Sequence, residues 1–81
     1  MDLQCEIVTP MDIIYTAPVG LVTVPGEKGE FTVLKNHAPI ISVLSEGKIR
    51  VIGKDGQENF FDCKSGVVEC KSNKIVILIH E

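Results

Sequence analysis

The sequence lacks the apolar stretches of a membrane-spanning or secreted protein. Its longest unbroken apolar run, at residues 75–79, covers only five of the 81 residues. A transmembrane helix needs roughly 20 consecutive apolar residues, and residues 1–4 have neither the basic nor the apolar region of a signal peptide. We therefore expect no direct lipid insertion, and we expect a protein made and kept in the cytosol.

Aromatic residues and concentrated basic charge are also scarce. There is no tryptophan, there are one tyrosine and three phenylalanines, and the eight lysine and arginine residues form no block. The net charge at pH 7 is −3. Because small barrels that bind single-stranded nucleic acid combine a basic groove with stacking aromatic side chains, both shortages argue against nucleic acid as the main partner.

Cysteine occurs three times, at Cys5, Cys63 and Cys70, without the CxxC spacing of a metal site. Free cysteine is among the most buried residue types, so we predict three buried thiols in the core. A zinc site built from Cys63, Cys70, His37 and His80 is the alternative, but it would lack paired-ligand spacing. We expect no metal and no other cofactor.

Catalytic motifs are missing as well. No serine has the glycines of a nucleophile elbow around it, and the sequence contains no phosphate-binding loop and no dinucleotide fingerprint. The chain is therefore not expected to be an enzyme by itself.

Apolar and polar residues instead alternate with a period of two, for example over residues 3–7, 48–51 and 68–71. Turn-forming residues separate these runs, and no helical spacing of apolar residues extends over eleven positions. The turn signals lie at 9–12, 25–26, 37–39, 45–47, 53–56 and 72–74. The pattern indicates a β-sandwich or a small barrel, and we predict an all-β fold, a single antiparallel β-sandwich of short strands spanning residues 1–81.

Three runs, 19–24, 40–44 and 75–79, depart from this alternation because they are apolar on both faces. Such strands are either central in a sheet or covered by a partner. Since 44% of so short a chain is apolar, we expect one face of the domain to carry an exposed apolar patch.

Residues 24–39 contain two turns around a short strand. Val24-Pro25-Gly26-Glu27 has the composition of a type II turn, and Gly29 supplies a second permissive position. Asn36 tolerates the left-handed region and leads into His37-Ala38-Pro39. The sequence therefore predicts an acidic tip and an imidazole-bearing tip on either side of one strand.

This segment, VPGEKGEF followed by VLKNHAP, resembles the signature VPGxxGEFGVLPGHAP of the epsilon subunit of F-type ATP synthases. CEIVTP near the start and FFDCKSGVVECKSNKIVIL near the end are similar to the opening and closing strands of the same family, so the resemblance covers essentially the whole chain. The departures are Lys35-Asn36 in place of Pro-Gly, Thr32 in place of Gly, and Val67 in place of the second glycine of Ser-Gly-Gly.

The resemblance implies a non-catalytic subunit of the central stalk, the rotor of a proton- or sodium-translocating synthase, at the cytoplasmic face of the cell inner membrane. Its implied partners are the gamma subunit and the polar loops of the c-ring, with no nucleic acid. Longer members continue into a helical hairpin, and a chain that stops at residue 81 is expected to lack that second domain. The residues implied at the c-ring side are Glu27, Lys28 and Glu30, and those at the gamma side are Thr9, Pro10, His37, Ala38 and Pro39.

An alternative from another class stays open at this point. A free-standing small β-barrel that binds nucleic acid or peptide would share the strand pattern. Such a barrel would be expected to carry a basic groove with stacking aromatic side chains.

Overall fold

The computed structural model describes residues 2–80, and every regular element in that range is a β-strand. The eight strands are β1 (Leu3–Val8), β2 (Ile13–Gly26), β3 (Gly29–Leu34), β4 (Ile40–Leu44), β5 (Gly47–Gly53), β6 (Glu58–Cys63), β7 (Ser65–Lys71) and β8 (Lys74–His80). The predicted all-β fold is confirmed. No helix long and apolar enough to cross a membrane occurs among these residues.

The strands form two layers that share β2. One layer has the order β1-β8-β7-β4, and the other places β3 and β5 on either side of β2, with β6 beyond β5. The first part of β2 pairs with β1 and the second part with β3 and β5, with a register shift between Val19 and Leu21 beside β5. A bulge of this kind bends a strand, which lets one strand pass from one layer into the other.

Two features differ from a sandwich of short antiparallel strands. β2 is 14 residues long, because it contributes to both layers. β1 and β8 run parallel, with Gln4 opposite Lys74 and Val8 opposite Leu78. A parallel pair needs a long connection, and here the six intervening strands provide it.

The core lies between the layers and is almost entirely aliphatic. Leu3 and Ile7 point inward from β1, Ile75 and Ile77 from β8, and Val22 from β2, and all five are at most 1% exposed. The alternation read from the sequence therefore identified the buried face correctly at β1, whereas the runs in β2 and β8 are apolar on both faces and gave no such prediction.

All three cysteines lie in this core as free thiols, as predicted. Burial raises the pKa of the Cys5 thiol to about 12 and also raises the pKa of Cys63 and of Cys70. Desolvation disfavours the charged thiolate, so these groups act as small hydrophobic side chains. Within residues 2–80, no cluster of His, Cys, Asp and Glu has metal-binding geometry.

The prediction of a type II turn at 24–27 is wrong by two residues. β2 continues through Gly26, which pairs with Gly29, and the turn is made by Glu27 and Lys28. Gly29 rather than Gly26 has the positive φ, at 131°. Gly26 is required for a different reason, since a Cβ there would lie 2.8 Å from the Phe31 ring.

Pro25 is compatible with a strand at this point because of its position in the ladder. Its carbonyl oxygen accepts a hydrogen bond from the Ser45 N–H at 2.8 Å, so its backbone faces the β4–β5 connection rather than β3. A residue whose N–H is not used by the neighbouring strand can be proline without the loss of a ladder bond. The composition indicated a turn, but the hydrogen-bond pattern permits a strand.

Candidate partner interface

A row of apolar side chains crosses the outer face of the first layer. Val8 of β1 lies opposite both Ile13 of β2 and Leu78 of β8. Leu78 lies opposite Val67 of β7, which in turn lies opposite Val43 of β4. We call these five residues the apolar row, and they bring all four strands of the layer and the start of β2 together in one line.

The apolar row is open to solvent. Ile13 is 56% exposed, Val43 is 51% exposed, and Val67 and Leu78 are each 40% exposed. The next register line along the strands is mixed, because Ile41 and Val76 alternate there with Glu69, Glu6 and Thr16. The exposed apolar surface is therefore concentrated toward one end of the face, as expected for a surface that a partner covers.

A turn closes the apolar row at its β1–β2 end. The Thr9 hydroxyl oxygen accepts hydrogen bonds from the N–H groups of Met11 and Asp12, at 3.3 and 3.1 Å, and the Thr9 N–H donates to the Asp12 carbonyl at 2.8 Å. This tight turn projects Met11 outward, where it is 92% exposed. Thr9 and Pro10, two of the residues expected at the gamma side, thus lie beside Val8 and Ile13.

The charged hairpin tip lies at the other end of the apolar row. The Glu27 N–H donates to the Val43 carbonyl at 2.9 Å, which holds the tip against the end of β4. Glu27, Lys28 and Glu30 are all exposed. They take no part in the ion pairs recorded between described residues, which are Lys48–Asp62, Arg50–Glu58 and Lys54–Asp2.

The imidazole-bearing loop is at the opposite end of β1. Asn36 has a φ of 66°, which confirms the predicted left-handed residue. Its N–H donates to Oδ1 of Asn73 at 2.6 Å, and the Asn73 carbonyl accepts the N–H of Gln4, at the start of β1, at 2.8 Å. His37, Ala38 and Pro39 follow directly.

Within this loop, Nδ1 of His37 lies 2.7 Å from the carbonyl oxygen of Ala38. A carbonyl can only accept, so Nδ1 carries the hydrogen and the other ring nitrogen is left available. The ring is half-buried, while Ala38 and Pro39 are exposed. This bond holds the ring against its own loop.

The structure does not bring the five residues expected at the gamma side together. Thr9 and Pro10 follow the end of β1, whereas the His37–Pro39 loop is tied to its start. What the structure brings together is the Thr9–Pro10 turn, the apolar row and the Glu27 tip. The assignment of these residues to separate partners stays a prediction.

The sequence predicted an exposed apolar patch, but it did not show which residues would form the apolar row. The two-faced runs at 40–44 and 75–79 contain Val43, Ile41 and Leu78, and they were the available signal. Val8, Ile13 and Val67 gave none, because their place in the row depends on which strands are neighbours.

Comparison with known proteins identifies the fold and its family. A sequence model of the family "ATP synthase, Delta/Epsilon chain, beta-sandwich domain" matches residues 2–81. The chain belongs to this family. The match confirms the resemblance noted in the sequence, and it favours a synthase subunit over a free-standing binding module.

Curated relatives of this family are similar over almost the whole chain. The ATP synthase epsilon chain of Chlorobaculum tepidum is 37% identical over 94% of this chain and 86% of its own length, and that of Chlorobium limicola is 34% identical over 96% and 89%. The epsilon chain of Sulfurimonas denitrificans is 38% identical over 95% of this chain but only 59% of its own length. Because the family is one of non-catalytic ATP synthase subunits, the chain is an accessory subunit rather than an enzyme.

Solved structures show the same fold. A chain of the Euglena gracilis mitochondrial ATP synthase superposes with a TM-score of 0.92 at 20% identity, and a chain of the Tetrahymena thermophila central stalk and c-ring superposes with a TM-score of 0.82 at 13% identity. The superpositions include 99% and 100% of the present chain, but only 51% and 65% of the two solved chains. The β-sandwich assignment is thereby confirmed.

Proposed function

We propose that this delta/epsilon-type domain joins the gamma subunit to the c-ring in the central stalk of a proton- or sodium-translocating ATP synthase, at the cytoplasmic face of the inner membrane. Its task is mechanical, namely to couple ion flow through the ring to ATP synthesis. The observation that supports this most is the apolar row, with an exposed charged tip at one end.

The two parts of this surface suit different kinds of contact. Burying apolar side chains gives roughly 25 cal/mol per Å² removed from water, so the apolar row suits permanent attachment to gamma. Exposed ion pairs contribute only about 0 to 1 kcal/mol each, so Glu27, Lys28 and Glu30 suit a contact that sets orientation against polar ring loops. Close packing of the aliphatic core makes the domain stiff enough to transmit torque between them.

The attachment to gamma is tested by placing a charge in the middle of the apolar row. Val67→Glu should abolish binding of purified gamma, measured by calorimetry, because it would bury an unpaired carboxylate. Leu34→Glu is the matched control, since Leu34 is also exposed and apolar but lies on β3 in the other layer. Equal binding by both variants and the parent chain would rule out the apolar row as the gamma contact.

A further inference from the structure

The outer face of the first layer carries charges in two bands beyond the apolar row. The first band is an acidic pair, Glu6 on β1 and Glu69 on β7, which lie on either side of Val76 in the register. The second band is a basic pair, in which Lys71 of β7 lies directly opposite Lys74 of β8. Each band lies two residues further along the strands than the one before it, so successive bands are about 7 Å apart. From the β1–β2 turn toward the start of β1, the face is therefore apolar, then acidic, then basic.

The charges of these two bands are not neutralised within the domain. None of the ion pairs found within residues 2–80 includes any of the four side chains. Glu69, Lys71 and Lys74 are exposed, and Glu6 is half-buried. Like charges directly opposite each other on neighbouring strands are destabilising, so the basic pair weakens the isolated domain. A partner that supplies negative charge at this place would remove that repulsion.

A depression lies over the basic pair. It has a volume of about 450 Å³, and its lining includes both lysines, Glu69 at the border with the acidic pair, and Asp2. Asp2 is already paired with Lys54, whose Nζ lies 2.8 Å from the carboxylate. The charge of Asp2 is thereby compensated, whereas the basic pair has no such partner among the described residues. The depression is therefore the part of this face that best accommodates an acidic side chain.

A second copy of this chain does not match the face. When two identical faces meet about a twofold axis that runs along the strands, each band meets its own kind, so like charges come together. When the axis runs along the bands, placing the acidic pair on the basic pair leaves the apolar row uncovered. No twofold arrangement both buries the apolar row and pairs opposite charges. The matching partner is therefore a different chain.

Resting on the proposed attachment to gamma, we propose that the two charge bands select the gamma segment that covers this face. That segment presents apolar side chains to the apolar row, then lysine or arginine to the acidic pair, then aspartate or glutamate to the basic pair, in steps of about 7 Å. A shift of the segment by one band in either direction brings like charges together, so only one placement is favourable. The apolar contact supplies affinity, and the charges set the register and speed association.

The test interchanges the two bands on one strand. Glu69→Lys combined with Lys71→Glu keeps the net charge and the side-chain types, but it reverses the order of the charges on β7. It also puts a carboxylate directly opposite Lys74, so the isolated double variant should be at least as stable as the parent chain in urea unfolding. At low salt it should bind purified gamma at least about tenfold more weakly, measured by calorimetry.

The matched control makes the same interchange on the other layer. Lys48→Asp combined with Asp62→Lys also keeps the net charge, and it preserves an ion pair between two exposed residues that lie opposite each other on β5 and β6. This control should bind gamma like the parent chain. Salt supplies a second control, because the Debye length falls to about 3 Å at 1 M. At that concentration the β7 double variant and the parent chain should bind gamma alike.

A single substitution on β1 supplies a second reading. Glu6→Gln removes one charge of the acidic pair and should weaken gamma binding about threefold at low salt. Glu58→Gln makes the same change on β6 in the other layer and should leave binding unaltered. If the β7 double variant fails to fold by circular dichroism, this pair of variants decides.

Failure of the band inference can be told apart from failure of the proposed function. If gamma binds the parent chain and Val67→Glu abolishes binding, but the interchange on β7 and Glu6→Gln have no effect, the attachment is correct and the charge selection is wrong. A loss that persists at 1 M salt, or that the control interchange reproduces, would also overturn the inference. So would self-association of the isolated chain that the interchange on β7 abolishes. If gamma does not bind the parent chain at all, the proposed function itself fails.

Discussion

Asn36 and Asn73, 37 positions apart, hold each other in the left-handed region of backbone space. Their φ angles are 66° and 61°, the Asn36 N–H donates to Oδ1 of Asn73, and Nδ2 of Asn73 donates to Oδ1 of Asn36 at 3.2 Å. Asn73 and Ser72, whose φ is 51°, form the two-residue turn between β7 and β8. Positive φ at both central residues is the conformation that tight hairpins favour, and asparagine tolerates it better than most residues.

This pairing predicts a graded response to substitution at Asn73. Asn73→Gly keeps the backbone freedom and loses the side-chain bonds, which should cost about 1 kcal/mol of unfolding free energy. Asn73→Ala loses the bonds and also forces alanine into a positive φ, which should raise the cost to about 2 to 3 kcal/mol. Urea unfolding measures both, and equal losses would show that the backbone conformation contributes nothing.

At Gly66, the addition of a single methyl group is expected to destabilise the fold. A Cβ at this position would collide with the Leu78 carbonyl oxygen and lie 3.2 Å from the Cα of Ile79. Gly66→Ala should therefore destabilise the fold by about 1 to 3 kcal/mol through overpacking against a backbone that has little room to move. Gly20→Ala is the control, because the nearest atom to a Cβ there is 3.7 Å away. Its effect should stay below about 1 kcal/mol, and matching losses at both sites would contradict the steric explanation.

The buried thiols predict a pH dependence at the alkaline end. The pKa of Cys5 is about 12 in the folded chain, against an ordinary value of 9.0. Above pH 9 the unfolded chain loses this proton while the folded chain keeps it, so the contribution of this thiol to stability should be constant below pH 9 and should be lost as the pH rises from 9 toward 12. Thermal unfolding across this range measures the loss, with Cys5→Ala as the control that should reduce the slope. A thiol reagent at pH 8 should label none of the three cysteines before unfolding, and rapid labelling of the native chain would contradict their burial.

Under the proposed contact with the c-ring, substitutions at Glu30 should change function without changing the fold. Glu30→Gln removes one exposed charge and Glu30→Lys reverses it. Coupling of ATP hydrolysis to ion pumping in reconstituted vesicles should therefore be weaker in Glu30→Gln than in the parent chain, and weaker still in Glu30→Lys. The effect should be strongest at low salt, where screening is least. Binding to gamma should not change. Release of gamma by Glu30→Lys would show that this tip and the apolar row serve the same partner.

The sequence allowed the strands and the family to be predicted, but not the surface that they build. Alternation placed Cys5 and Ile7 inside correctly, because the period of a strand is a local property. The turn at Pro25-Gly26 was misplaced, since whether proline ends a strand depends on which neighbour needs its N–H. The apolar row as a whole could not be read, because Val8 meets Leu78 only through the pairing of β1 with β8, which joins positions 70 residues apart such as Gln4 and Lys74.

The parallel pairing of β1 and β8 bears on how the domain carries load. Leu3 begins one strand and His80 ends the other, so they lie at opposite ends of a parallel pair. A pull between these two points slides the strands along each other, and all the bonds between them are stretched at once. An antiparallel terminal pair pulled in the same way would open from one end, one bond after another. The strands β1 and β8 thus form a shear clamp, which suits the torque-transmitting role proposed for this domain.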